Sequence, residues 1–314
     1  MLDNPKQMAK VASTAACVIR PTGLPRLELT SHANINDILV DLADGAYPMA
    51  GGTDVLLWAR KRGNPRRLAW IGRVGPLHDF SCTGDPIVVG AAVTLSRIVR
   101  SAAFSAAVPA VAEGAHAIGS VQIRNQATLV GNICTASPAG DTLPGLLVYD
   151  ACVDVCTRSG SYRQVALKDF LVGPGRTELE SGEFVSAVSM SRALPGEASA
   201  FVRFTQRRAL DLSVASVAVR IGLEVDGITV RMARVALGGV ATKALLVDEA
   251  AALLIGRSVS SAALRDCADA AAEVSSPITD HRSSADYRRH LVRVLVQDAV
   301  KIAVRRAQGV AIYD

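Results

Sequence analysis

Two short segments combine residue types that can hold an anion. The first is residues 47–55, YPMAGGTDV. Its adjacent glycines, Gly51 and Gly52, let backbone N–H groups approach an anion with no Cβ in the way. Thr53 offers a hydroxyl, and a helix beginning at Val55 turns its N-terminus toward negative charge. Strand, glycine turn, polar cap and helix together suit a pyrophosphate. The same pattern also serves as a plain tight turn before a helix. It is neither GxGxxG nor a loop ending in Gly-Lys-Ser/Thr, so it indicates neither a Rossmann nor a P-loop site. The second segment is residues 128–141, TLVGNICTASPAGD. Thr128, Asn132, Thr135 and Ser137 supply small donors, while Gly131, Pro138, Gly140 and Asp141 favour turns. The segment reads as a poor helix and a poor strand. A semi-buried, donor-rich loop suits a large polar ligand. A surface loop whose own Asx and Ser/Thr turns use the same residues is an equal alternative.

The remaining reactive side chains form no constellation for acid–base or nucleophilic work. His32, His78, His116, His281 and His290 are scattered without metal-ligand spacing, and His116 is the one nearest the other segments of interest. The cysteines (Cys17, Cys82, Cys134, Cys152, Cys156 and Cys267) include no CxxC. Cys152 and Cys156 lack a second close pair to complete a zinc or iron–sulfur site. They read as small core residues, reduced in a cytoplasmic protein.

The elements that must position these segments follow from periodicity. Residues 26–30 read as a strand, and 35–42 as a helix with Ile35, Ile38, Leu39 and Leu42 on one face. Residues 47–50, 68–71 and 86–90 read as strands, with helices over 55–61, 95–100 and 106–118. Residues 153–157 and 183–190 read as strands, and 170–175 as a loop. After a boundary near 194–196 come two β-prone runs, 213–224 and 228–237, joined by Asp226–Gly227, a strong hairpin signal. Helical stretches follow near 243–254 and 262–272. A last helix starts after Ser283–Ser284 and runs to about 308; Leu291, Val294, Leu295, Ala299 and Ile302 mark its buried face, with Arg288, Arg289, Arg293 and Arg305 mostly elsewhere.

A chain of 314 residues, half of them hydrophobic, can bury one large or two moderate cores. The net charge of +5 is spread rather than blocked, with no aromatic interleaving, which argues against nucleic-acid binding. No uninterrupted apolar run reaches membrane-spanning length. Residues 11–19, VASTAACVI, imitate the apolar part of a signal peptide but lack a clear cleavage site, so 1–24 read as an irregular extension.

The order and spacing of AGGTD at 50–54, Ile118–Gly119, QIRN at 122–125, TLVGN at 128–132 and SPAGD at 137–141 resemble the FAD subunit of the molybdenum hydroxylases, of xanthine dehydrogenase and carbon monoxide dehydrogenase type. GPGRT at 173–177 and RRALD at 207–211 continue the resemblance, which covers roughly 25–310. It implies an α+β chain: a two-lobed vanillyl-alcohol-oxidase (PCMH)-type FAD-binding domain over 25–195, its lobes dividing near 75–80. A small C-terminal α+β domain of hairpin or three-stranded sheet plus helices follows over 196–314. By motif match, Pro48, Met49, Ala50, Gly51, Gly52, Thr53, Asp54 and Val55 wrap the FAD pyrophosphate. Thr128, Leu129, Val130, Gly131 and Asn132, with Thr135 close by, make a second phosphate and ribityl contact. Asp141, the apolar Ile118, a backbone group of Val185, and Arg203 (lysine in some relatives) complete the set. The family's second loop carries two glycines, and Val130 replaces the first; a β-branched residue there is strained if the position needs φ > 0.

The resemblance further implies electron relay with no catalytic side chain and no metal held in this chain. Electrons pass from [2Fe–2S] clusters in a small partner subunit through FAD to NAD or another acceptor. A large molybdopterin subunit carries out substrate oxidation, and the heterotrimer is often doubled. A stand-alone FAD oxidoreductase of the same fold and a scaffold subunit that has lost its flavin are the alternatives.

Overall fold

In the computed structural model, which describes residues 17–19, 26–207 and 209–310, a strand lies inside the segment expected to be irregular. β1 (Cys17–Ile19) pairs antiparallel with β2 (Leu27–Ser31). The rest of the expected extension lies outside the described residues. α1 (Ile35–Ala43) starts at Asn34, whose side chain accepts the Asp37 amide at 2.9 Å, and buries Ile38 and Leu42. β3 (Tyr47–Met49), α2 (Val55–Arg62) and β4 (Arg67–Trp70) follow. The sheet order is β1-β2-β4-β3, with β2 and β3 both parallel to β4, so α1 and α2 are crossover helices. α2 buries only Val55 and Ala59, and its last turn holds Arg60, Lys61 and Arg62, where cations suit the helix dipole.

A single 3₁₀ turn, Gly75–His78, leads to the second lobe. There β5 (Phe80–Ser81) and β6 (Ile87–Gly90) precede α3 (Leu95–Val99), α4 (Ala102–Ala107), α5 (Pro109–Ala117), α6 (Val121–Arg124), α7 (Leu129–Thr135) and α8 (Thr142–Val148). β7 (Cys152–Cys156), β8 (Tyr162–Ala166), α9 (Leu167–Phe170), β9 (Leu171–Gly173), β10 (Arg176–Thr177) and β11 (Phe184–Met190) complete it. The antiparallel order β5-β6-β11-β7-β8 puts β11 at the centre, buried at every position but Ala187. The helix expected over 106–118 is two helices. Pro109, which has no N–H to donate, opens α5 at the position where that donor is dispensable. Of the residues expected to form a loop at 170–175, Phe170 ends α9 and the rest belong to the β9–β10 hairpin.

The C-terminal part is an antiparallel meander, β12 (Glu197–Phe204), β13 (Ala215–Leu223), β14 (Val230–Gly238) and the two-residue edge strand β15 (Leu245–Leu246). The turn between β13 and β14 holds: Gly227 sits at φ +67°, and the Asp226 carboxylate accepts the amides of Ile228 and Thr229 at 2.8 Å. α10 (Asp248–Ala252) packs on β14, α11 (Ser261–Val274) packs on α10 and α12, and α12 (Ala285–Ala307) covers one face of this sheet, with α5 and α8 of the preceding lobe on the other. β13 is therefore buried at every position, which explains its unbroken apolar run. On α12 two expectations fail. Val294 is 41% exposed, and Arg288, placed off the buried face by its charge, is 2% exposed. Its guanidinium donates to the carbonyls of Val214 (2.7 Å) and Gly239 (2.9 Å) and to Asp280 (2.8 Å), which is how the charge is tolerated inside.

Candidate functional site

The glycine segment between β3 and α2 meets the N-terminus of α7 across a cleft of about 500 Å³. Gly51 is held against the chain just before α7: a Cβ there would lie 1.8 Å from the Gln126 carbonyl oxygen. Gly52 takes φ +72°, open to few residues with a side chain. Among the described residues the amides of Gly51, Gly52, Thr53, Asp54 and Val55 have no acceptor; the first amide of this stretch that is bonded is Leu56, to the Gly52 carbonyl at 3.3 Å. Nor does Asp54 cap α2 with its side chain. A run of unpaired N–H groups at a helix start is an anion cradle.

Opposite stands α7, where a loop was expected. Thr128 makes the helix possible: its hydroxyl accepts the Gly131 amide at 3.0 Å. Helical periodicity then sorts the segment into two faces. Thr128, Gly131, Asn132 and Thr135, at spacings of three and four, line the cleft. Leu129, Val130 and Ile133 point the other way, each buried in the core. Val130 has no positive φ, so its β-branched side chain carries no backbone strain. The hydroxyl of Thr135 donates to the Asp54 carboxylate at 3.0 Å, joining the two segments across 81 positions. Thr142 donates to the Asn132 carbonyl oxygen at 2.6 Å, which leaves the Asn132 NH₂ group free to donate.

Two further groups shape the cleft. Arg124 donates to the carbonyls of Ile118 (2.8 Å) and Gly119 (3.2 Å), fixing an apolar bend on the wall. Asp141, 4% exposed, accepts from Arg203 at 2.7 Å and from the hydroxyl of Ser213 at 2.5 Å. Burial pushes the Asp141 carboxyl above the usual range, against the pull of Ser213 and Arg203.

Of the residues singled out in the sequence, 48–55, Ile118, Thr128, Gly131, Asn132, Thr135 and Asp141 come together on this cleft. Leu129 and Val130 lie behind it in the core, because the segment is a helix. Val185 lies 3% exposed inside the central strand β11, away from the wall. Arg203 stands behind Asp141 and meets the cleft through it. His116 is exposed and off the wall. The sequence reading passed over Trp58, Ile123, Cys134 and Leu212, which also line the cleft. Cys134 follows Gly131 by three, so recognising α7 as a helix would have found it. Burial pushes its thiol up to about 12, keeping it neutral.

A two-lobed fold with an anion cradle, an opposing donor-rich helix and an adjoining α+β unit defines a protein built to hold an extended phosphate-bearing cofactor. Residues 26–191 match the family described as the FAD binding domain in molybdopterin dehydrogenase, and 200–303 match the CO dehydrogenase flavoprotein C-terminal domain. The glyceraldehyde dehydrogenase medium chain of Sulfolobus acidocaldarius is 30% identical over 259 residues, 82% of this chain and 90% of that protein. The carbon monoxide dehydrogenase medium chain of Afipia carboxidovorans is 28% identical over 280 residues, 89% and 96% of the two. A chain of carbon monoxide dehydrogenase from Hydrogenophaga pseudoflava superposes with a TM-score of 0.85 at 28% identity, covering 90% of this chain and 99% of that one. The chain belongs to the FAD-binding family of the molybdopterin dehydrogenases, as an FAD subunit of the molybdenum hydroxylase type.

Proposed function

We propose that this chain is the electron-relay subunit of a molybdenum-containing hydroxylase or dehydrogenase and that its FAD occupies the cleft between α2 and α7. The amides of Gly51 to Val55 carry this reading, since they suit a pyrophosphate and no described residue accepts from them. Thr53 and Asn132 add side-chain donors, Thr135 ties the two walls together through Asp54, and the cleft volume is that of a cofactor site. Bound FAD supplies the redox chemistry. The chain's own groups hold it: the cradle takes the phosphates, Ile118 offers an apolar surface, and Asp141, set by Arg203 and Ser213, offers a buried acceptor. The backbone of Val185 and the guanidinium of Arg203 act from behind the wall.

The relatives' names as medium chains support a place between two partners. In this reading a small subunit with [2Fe–2S] clusters delivers electrons and a large molybdopterin subunit oxidises substrate. NAD or another acceptor takes the electrons away, in a cytoplasmic heterotrimer able to double. The chain divides at about 195, with residues 25–195 holding the cofactor in two lobes and 196–314 buttressing it. The flavin-free scaffold reading rested on strain at Val130, and the helical placement of Val130 removes that motive.

The test is the absorption spectrum of the purified chain, before and after denaturation, with the released cofactor identified by mass. Flavin bands that release FAD are expected, along with co-purification of two partner chains. FMN, or no flavin after incubation with excess FAD, refutes the assignment of the cradle.

A further inference from the structure

We propose that the outward face of α2 is a docking surface for a protein partner that presents an acidic patch beside an apolar hollow. α2 is poorly covered by its own chain: only Val55 and Ala59 are buried, and Val55 sits on the small cluster of Met49 and Leu68. Trp58 turns to the cleft. Helical spacing puts the remaining side chains away from Val55 and Ala59. Leu56 and Arg60 are four apart, as are Leu57 and Lys61, and the two pairs share the outward face. Leu56 is 43% exposed and Leu57 53%, and neither lines the cleft, so a cofactor held there leaves both bare. Two adjoining exposed leucines beside a charged rim have the character of a contact surface.

The charge on the same helix names the chemistry of the occupant. Residues 55–67 hold the cations Arg60, Lys61, Arg62, Arg66 and Arg67 and no carboxylate. Arg67 is engaged by Glu28 at 3.6 Å, by Asp41 at 4.0 Å and by the Asp44 carbonyl at 2.9 Å. Arg60, Lys61, Arg62 and Arg66 are exposed, and their side chains meet no acceptor among the described residues. Like charges crowded this closely repel one another. An acidic surface laid over them relieves that repulsion and adds attraction. The leucines give such a partner an apolar anchor, and the cations give it orientation. A lipid surface fits less well, since a helix lying on a membrane carries apolar residues along one whole side and cations along the other. On α2 the leucines hold one end of the outward face and the cations the other end, while the opposite side belongs to the lobe. The choice of a protein occupant rests on the reading of this chain as one subunit of a complex. α2 starts at the amides of the cradle, so the partner docks on the outer side of the helix that holds the cofactor phosphates.

The experiment is a dilution series of the complex that the full chain forms with its co-purified partner chains, at low and at high salt. The fraction of this chain still associated is read by size-exclusion chromatography, and FAD content is read on the same samples. Arg60→Glu combined with Lys61→Glu is expected to raise the dissociation constant by about 30-fold at low salt and by about threefold at high salt. Leu57→Ala is expected to raise it by about fivefold at both. Arg265→Glu combined with Arg305→Glu reverses two exposed cations of the C-terminal unit and should leave it at the wild-type value. All variants should keep their FAD. Association of the charge-reversed α2 variant as tight as that of the wild type overturns the proposal. So does weaker association that comes with loss of FAD, since the defect then lies in the cleft. A wild type that holds FAD yet joins no other chain overturns the proposal and the subunit reading together, and leaves the cofactor assignment standing. Binding of the wild type to phosphatidylglycerol vesicles, abolished by the α2 charge reversal while partner association is unchanged, overturns it in favour of a membrane surface.

Discussion

Substituting Gly51 by alanine tests the cofactor reading where the geometry is least forgiving. The new Cβ would fall 1.8 Å from the Gln126 oxygen and 2.4 Å from the Gln126 carbonyl carbon, both backbone atoms that cannot rotate away. Ordinary contact needs a separation of roughly 3.5 Å, so the glycine turn must retreat by about 1.5–2 Å. The amides of Gly51, Gly52 and Thr53 move with it, away from α7. A hydrogen bond to a charged acceptor contributes about 1.5–3 kcal/mol, so misplacing two of them costs about 3–6 kcal/mol of binding. That corresponds to a dissociation constant for FAD raised by about 10²–10⁴-fold. The assay is reconstitution of the flavin-free chain, followed by the change in flavin fluorescence on binding, well below the melting temperature. Gly75→Ala is the control, since a Cβ there meets nothing within 4 Å and its φ is not positive. If Gly51→Ala binds FAD within a few-fold of the wild type while remaining folded, the amide cradle is not where the phosphates sit.

Two further outcomes follow from the same geometry. Val130→Gly supplies the second glycine that the resemblance leads one to expect in this segment, yet the side chain it removes is buried in the core. We expect a loss of about 2–4 kcal/mol in denaturant unfolding, from the cavity and the helix propensity together, with FAD affinity changed less than threefold; a hundredfold loss of affinity would instead place the Val130 backbone on the cofactor. Glu183 is held below the usual carboxylate range by its hydrogen bonds with Arg163, against the desolvation that raises it. A lowered carboxylate contributes stability that is complete above its ordinary value of 4.5 and fades as pH falls through the lowered one. The melting temperatures of wild type and Glu183→Gln should therefore differ at pH 7 and converge in acid, and a gap that stays constant down to pH 3 would show that the ion pair is not the cause.

The glycine turn was legible because its signal is local: a strand, two glycines and a helix start are all written within nine residues. The second wall was half legible. Its small polar residues stood out, but the same composition hid a helix, because glycine and β-branched or hydroxyl residues are individually poor helix formers. What forms α7 is a cap at Thr128 and an apolar face of Leu129, Val130 and Ile133 buried against the rest of the lobe, and tertiary burial is not a property of the segment. Reading a loop put every residue of the motif on the cofactor, whereas a helix puts only one face there. β12 was missed for a related reason. Glu197, Ser199 and Arg203 interrupt its apolar pattern, yet each has a partner in space: Arg220, Tyr149 and Asp141. Arg288 shows the same limit on α12, since its acceptors lie 8, 49 and 74 positions away.

Those long-range partners explain why the C-terminal unit is attached to a cofactor domain at all. The turn 137–141 runs along the end of the cleft with little secondary structure of its own. Three contacts from the C-terminal unit hold it: the Gly239 amide donates to the Pro138 carbonyl at 2.7 Å, and Arg203 and Ser213 bind the Asp141 carboxylate. The last two leave Asp141 with its charge compensated from behind and its carboxyl at the wall. Remove that support and a buried carboxylate would either protonate or turn to solvent, since desolvation already pushes it upward. The same unit contributes Asp211 and Leu212 directly to the cleft. It thus works as the fixed end of the site, with α2 and α7 as its sides, and the position of Asp141 depends on both units being packed together.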